Sequence, residues 1–276
     1  MNLIAEIIWD VNPIITDKLG PFTLKYYGIL FATGFFICFL VLSWIYKREH
    51  RNEKELERLT LYLIFGAVIG ARLGHCLFYD PIGYLSDPIQ ILFIWKGGLA
   101  SHGAGIGLII ALLIFKMRYR SSDLIWIFDR VSIVVPIAAT FVRLGNFFNH
   151  EIYGLETNLP WGVKFLYSDI LIHRTEVRHP TQLYEALAYA LIFIFMLFLY
   201  KKKGAEIKKG LLTGIFLIFL FTARFFIEFL KERQEVWHNT LPLDLGQLLS
   251  IPFIILGIVF VVWSFKRKEP TITNTK

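Results

Sequence analysis

Long apolar runs separated by polar connections set the plan of this chain. Seven segments approach the roughly 20 mostly apolar residues that a bilayer-crossing helix needs: 24–46, 59–80, 98–116, 123–145, 182–200, 210–230 and 245–265. The pattern predicts an all-α membrane protein of about seven transmembrane helices. The second and fourth runs carry charges inside them. Ionisable side chains inside a span face the bundle interior or a partner, so these two runs are the most informative chemically.

Three connections between the runs have a pattern of their own. Residues 81–97 (PIGYLSDPIQILFIWKG) contain an apolar, Trp-bearing piece suited to lying in the membrane interface. Residues 146–180 form the longest polar connection, and WGVKFLY within it alternates as a short strand does. This stretch predicts a small extracytoplasmic cap. The third, KERQEVWHNTLPLD, is a turn-rich connection without periodicity. The expected organisation is one integral-membrane domain, 1–268, which includes the cap at 146–180. A disordered cytoplasmic tail, 269–276, follows it.

Composition supports the membrane assignment: 55% of the 276 residues are hydrophobic and 26 are Phe, well above a soluble domain's usual share. Charge placement then gives the orientation. Lys47, Arg48, Arg51, Lys54 and Arg58 follow the first run, and Lys116, Arg118 and Arg120 follow the third. Lys201, Lys202, Lys203, Lys208 and Lys209 follow the fifth, and Lys266, Arg267 and Lys268 the seventh. The intervening loops are longer yet hold fewer basic residues, so the positive-inside rule places the N-terminus outside and the C-terminus in the cytoplasm. That topological cause also accounts for the net charge of +7 without nucleic acid. The start, MNLIAEIIWD, lacks the basic n-region of a cleavable signal peptide. Cys38 and Cys76 fall inside apolar runs without CxxC spacing, which argues against a disulfide framework or zinc site. No metal or organic cofactor is implied.

The densest polar cluster, VRLGNFFNHEIYG at 142–154, follows the fourth apolar run. A short echo of it, ARLGH, stands at 71–75. With Arg224 in TARFFIEFL, Arg72 and Arg143 form a set of three arginines in the outer halves of three outward-running spans. The plain reading is internal pairing: Arg224 with Glu228 four residues on, Arg143 with Asp129 or Glu151. The functional reading is a cationic pocket opening on the outer leaflet, where a guanidinium suits bidentate contact with a phospholipid phosphate. His102, in GGLASHGAGIG, is either an interfacial histidine or a proton acceptor near neutral pH. The surrounding Gly97, Gly98, Gly103, Gly105 and Gly107 imply close backbone approach or irregular geometry. Tyr27, at the outer start of the first span, is either an aromatic-belt residue or one that reaches the same depth as the arginines. HEIYG lacks the second histidine of an HExxH zinc protease, and no GxSxG elbow occurs. A nucleophile, if one is used, arrives with the substrate.

These residues resemble the bacterial prolipoprotein diacylglyceryl transferase family. Its signature, Gly-Arg-x-Gly-Asn-Phe-x-Asn-x-Glu-x-x-Gly, is matched in register by Arg143, Gly145, Asn146, Phe147, Asn149, Glu151 and Gly154. YYGIL (26–30), GARLG (70–74), SHGAGIG, RHPTQLYEA (178–186), RFFIEF (224–229) and LGQLLSIP (245–252) follow in family order. Val142 replaces the leading glycine, and His150 stands where a small residue is common.

The resemblance implies a seven-span bacterial inner-membrane enzyme whose site faces the outer leaflet. It would move the diacylglyceryl group of phosphatidylglycerol to the lipobox cysteine thiol of a prolipoprotein signal peptide, form a thioether and release glycerol phosphate. On that reading Arg143 and Arg224 stabilise charge on the departing phosphate, and thiolate is the attacking form. His102 is the base by residue type, with the Arg143–Glu151 cluster as the alternative source. Tyr27, Arg72, Asn146, Glu151, Gly154 and Glu228 complete the expected substrate-binding set: Asn146 and Glu151 hold the arginines or the headgroup glycerol, and Gly154 permits a tight turn. A lipid or anion transporter using the same arginines is the competing class, but the one-sided polar cluster and unmatched halves do not fit paired repeats.

Overall fold

The computed structural model describes residues 7–19, 22–94, 97–120, 123–168, 176–231 and 243–267. Lys96, Arg174, Arg233, Lys268, most of the 231–244 connection and the 269–276 tail lie outside the described residues. In chain order the elements are β1 (Ile7–Trp9), β2 (Ile14–Leu19), β3 (Phe22–Lys25), α1 (Tyr26–Arg48), α2 (Glu53–Phe78), α3 (Pro81–Ser86), a 3-10 turn (Pro88–Leu92), α4 (Ser101–Arg118), α5 (Leu124–Phe148), β4 (Val163–Phe165), β5 (Val177–Arg178), α6 (Thr181–Lys203), α7 (Leu211–Glu228) and α8 (Leu245–Lys266). They fall into two compact units, residues 14–127 and residues 1–13 with 128–276.

Among the described residues, six helices are long and apolar enough to cross a membrane: α1, α2, α5, α6, α7 and α8. The remaining expected run, the third (98–116), forms α4, which begins at Ser101 and not at Gly98. Gly97 and Gly98 take φ of 94° and 73°, a left-handed backbone that cannot continue a right-handed helix. The expectation of an all-α chain also needs correction. Residues 7–25 contain three strands, and β2 and β3 form an antiparallel hairpin just before α1. Alternation in the short segments IIW, IITDKL and FTLK is outweighed in the sequence by the helical runs.

In the unit of residues 14–127, α2 and α4 pack at unusually short range. Gly66, Gly70 and Gly74 face Gly103, Gly107 and Ala111, and a Cβ at Gly70 or Gly107 would strike the opposing backbone. The Asn52 side chain caps α2 by accepting the Lys54 N–H at 2.9 Å. Between α2 and α4, residues 81–92 form α3 and the 3-10 turn, with Ile82, Leu85, Ile89 and Leu92 exposed. Trp95, which marked the interfacial piece expected there, lies outside the described residues.

The other unit joins α6, α7, α8 and the remainder of α5 to a three-stranded sheet. Its strand order is β1-β4-β5, with β1 parallel and β5 antiparallel to β4. β4 is the strand expected in WGVKFLY; β1 comes from the chain start. Trp9, Phe147, Tyr153, Val163 and Phe165 make the apolar core beneath this sheet. At the other end of the unit, buried Asp129 accepts the Gly210 N–H at 2.7 Å and both the N–H and the hydroxyl of Thr213, at 2.9 and 2.7 Å. α7 has no side-chain cap from its own preceding residue, so Asp129 of α5 supplies one. The carboxylate inside the fourth apolar run is therefore structural, and is not the partner of Arg143.

Candidate functional site

α5 ends as the signature begins to leave the helix. Asn149 and Glu151 still send their N–H groups back to Gly145 and Asn146, at 2.9 and 3.1 Å. His150 and Ile152 then turn the chain with φ of 53° and 59°, the left-handed region that non-glycine residues seldom enter. His150 is held there by its ring. Nε2 lies 2.8 Å from the Val11 carbonyl, and Nδ1 accepts the Tyr167 N–H at 3.4 Å. The start of α6 grips the same loop: Gln182 donates to the Glu151 carbonyl at 2.7 Å and Thr181 to that of Ile152 at 3.0 Å.

This turn places Gly154 against Lys231, at the end of α7, in an isolated bridge. A Cβ at 154 would collide with the Leu230 carbonyl, Thr181 and His179, so the glycine is needed for close approach, not only for a turn. The approach buries Lys231 beside the arginines.

The polar centre of the unit is Glu185 of α6, which is fully buried. Arg143 Nε lies 2.9 Å from its Oε2, Lys231 Nζ 3.1 Å from the same oxygen, and Arg224 Nη1 3.9 Å from Oε1. Tyr189 donates its hydroxyl to Oε1 at 3.0 Å. From Arg143 a second line runs outward. Nη1 donates to Asn146 Oδ1 at 3.1 Å, and Asn146 and Asn149 both donate to Glu151 Oε1, at 2.7 and 3.2 Å. Lys231 also reaches Glu228 Oε2 at 3.3 Å. Burial pushes the Lys231 ammonium below its ordinary pKa, although Glu185 opposes the shift.

The structure therefore gathers Arg143, Arg224, Asn146, Glu151, Gly154 and Glu228 into one unit. Arg224 pairs with Glu185 and not with Glu228, which serves Lys231. Arg143 is linked to Glu151 through Asn146. Glu185 and Lys231 were absent from the expected site. A glutamate inside an apolar run was the available signal for the first; Lys231 reads in the sequence as one more loop charge.

The remaining expected residues lie in the other unit. Arg72 is buried, and its guanidinium donates to the carbonyls of Gln90, Ile91, Gly97 and Gly98 at 2.5 to 3.3 Å. It ties the 88–98 connection to α2. His102 is exposed, near the start of α4, with its ring 5.9 Å from that of Tyr79 and 5.3 Å from that of Phe78. Tyr27, partly exposed in the first turn of α1, stacks on Phe31 at 6.2 Å.

The family model for prolipoprotein diacylglyceryl transferase matches residues 13–263. A phosphatidylglycerol--prolipoprotein diacylglyceryl transferase of Tolumonas auensis is 42% identical over 262 residues, covering 95% of this chain and 99% of its own length. The same-named proteins of Chloroherpeton thalassium and Bacteroides fragilis are 39% and 41% identical, covering 98% and 97% of this chain and 98% and 99% of theirs.

Proposed function

This chain belongs to the prolipoprotein diacylglyceryl transferase family, and from that membership we propose that it transfers the diacylglyceryl group of phosphatidylglycerol to a prolipoprotein. The acceptor is the lipobox cysteine thiol. Sulfur attacks the glycerol carbon that bears the phosphate, the carbon–oxygen bond breaks, and glycerol phosphate leaves as the thioether forms. The observation that carries this reading is the convergence of two guanidinium groups from α5 and α7 beside the family signature.

Arg143 and Arg224 hold the phosphate and stabilise the charge that grows on it as the bond breaks. Asn146 fixes Arg143, Glu151 fixes Asn146, and Glu228 fixes Lys231, while Tyr27 contacts the headgroup. Arg72 acts by anchoring the 88–98 connection, which narrows the expected set of three phosphate-binding arginines to two. His102 is the base that takes the thiol proton. Incubation with phosphatidylglycerol and a lipobox peptide tests the whole: the peptide mass rises by one diacylglyceryl group, whereas a transporter leaves it unchanged. In the same assay His102→Gln should slow transfer sharply at neutral pH and recover in part at high pH, where more peptide thiol is ionised. An unaltered rate and pH profile would make His102 an ordinary interfacial residue.

The enzyme sits in the bacterial inner membrane as one catalytic domain, residues 1–268, with seven spans once α4 is counted. The 146–180 segment is an extracytoplasmic cap, the N-terminus is outside and the C-terminus cytoplasmic. The basic clusters after α1, α4, α6 and α8 support this orientation. Single cysteines at positions 52 and 158 check it. Position 158 should react with an impermeant thiol reagent added from outside and position 52 only after the membrane is opened. Protection of 158 from the outer reagent would reverse the topology.

A further inference from the structure

We propose that Glu185 is a positioning residue for the transfer reaction: its buried carboxylate sets the orientation of Arg143 and Arg224 toward the lipid phosphate. The proposal rests on the reading of those arginines as the phosphate-binding pair.

Among the described residues, three cationic side chains lie within 3.9 Å of this one carboxylate: Arg143 from α5, Arg224 from α7, and Lys231 from the turn that ends α7. At such range the cations repel one another strongly where water is scarce, and an anion between them is what allows them to be close. Glu185 is that anion. Its place is fixed by the first turn of α6, where Thr181 and Gln182 hold the Ile152 and Glu151 carbonyls of the signature loop.

The contact also decides which part of Arg143 faces Glu185. Nε lies against the carboxylate, and Nη1 is directed to Asn146. Two different partners on one planar group leave it a single orientation. Tyr189, one turn further along α6, donates to the other carboxylate oxygen and so keeps the carboxylate from rotating away from Arg143. Glu185 thus works on the substrate through the arginines.

A double-mutant cycle tests this, with transfer rate and thermal unfolding measured on detergent-purified protein. Glu185→Gln keeps the shape and removes the charge, and should lower the rate about 100-fold, whereas Glu185→Asp, with charge but a shorter reach, should lower it about tenfold. When Glu185→Gln is combined with Arg143→Lys, the losses should not multiply: the double variant should stay within about threefold of the worse single one, because both changes disable the same guanidinium. Full multiplication of the two losses, or a Glu185→Gln rate within about threefold of the parent, overturns the proposal. If Glu185→Gln does not fold, the cycle is run with Glu185→Asp and read by the same criterion. Failure of the phosphate reading itself looks different: Arg143→Lys alone would then transfer at a near-normal rate.

Discussion

Arg143→Lys is expected to fold, reach the membrane and lose about 100-fold or more in transfer rate, the scale on which removal of one oriented transition-state donor is felt. Lysine keeps the charge and can still pair with Glu185. It cannot also reproduce the Nη1 contact to Asn146 while presenting a planar edge to phosphate, since its donors radiate from a single nitrogen. The loss should therefore fall mainly on the rate at saturating lipid, with thermal unfolding little changed. Near-normal transfer by a folded Arg143→Lys protein would sink the phosphate-fork mechanism and leave family membership untouched.

Gly107→Leu is expected to damage the fold itself. The Cβ alone would meet the Gly66 carbonyl and Gly70 backbone, so α2 and α4 must separate to admit any side chain. Overpacking of this kind costs about 1–3 kcal/mol, and here the obstacle is backbone, which cannot turn aside as a rotamer can. Lower membrane yield and a clear drop in unfolding temperature should follow. Gly105→Leu is the matched control, because a Cβ there meets nothing within 4 Å. Equal unfolding temperatures for the two variants would show that the close glycine contact does not govern stability.

The apolar runs made the helices legible because a bilayer-crossing helix is a local feature of composition and length. The glycines of α4 were legible too, as a demand for close approach, but their partners on α2 were not. Pairing across the fold is what local spacing misses. Arg224 has Glu228 at a helical i, i+4 position, yet it turns to Glu185, 39 residues earlier in the chain. β1 was missed for a related reason: three residues, Ile7–Trp9, gain their strand partner only from residues 163–165. The signature itself was visible as a polar cluster, and its match placed Arg143, Asn146, Glu151 and Gly154 together. What it could not contain was Lys231, whose entry depends on the bare Gly154 backbone lying against the end of α7.

The carboxylate of Asp129 gives α7 a beginning that its own sequence does not supply. Gly210 enters the helix with φ of 85° and no capping side chain, and the open amides of Gly210 and Thr213 find their acceptor 81 and 84 residues upstream. During synthesis α5 leaves the ribosome well before α7. The earlier helix thus waits with an acceptor already in place, and the later one acquires a finished first turn only on docking beside it. Order of arrival in the membrane and completion of a helix end are joined in one side chain, at the end of the unit away from the arginines.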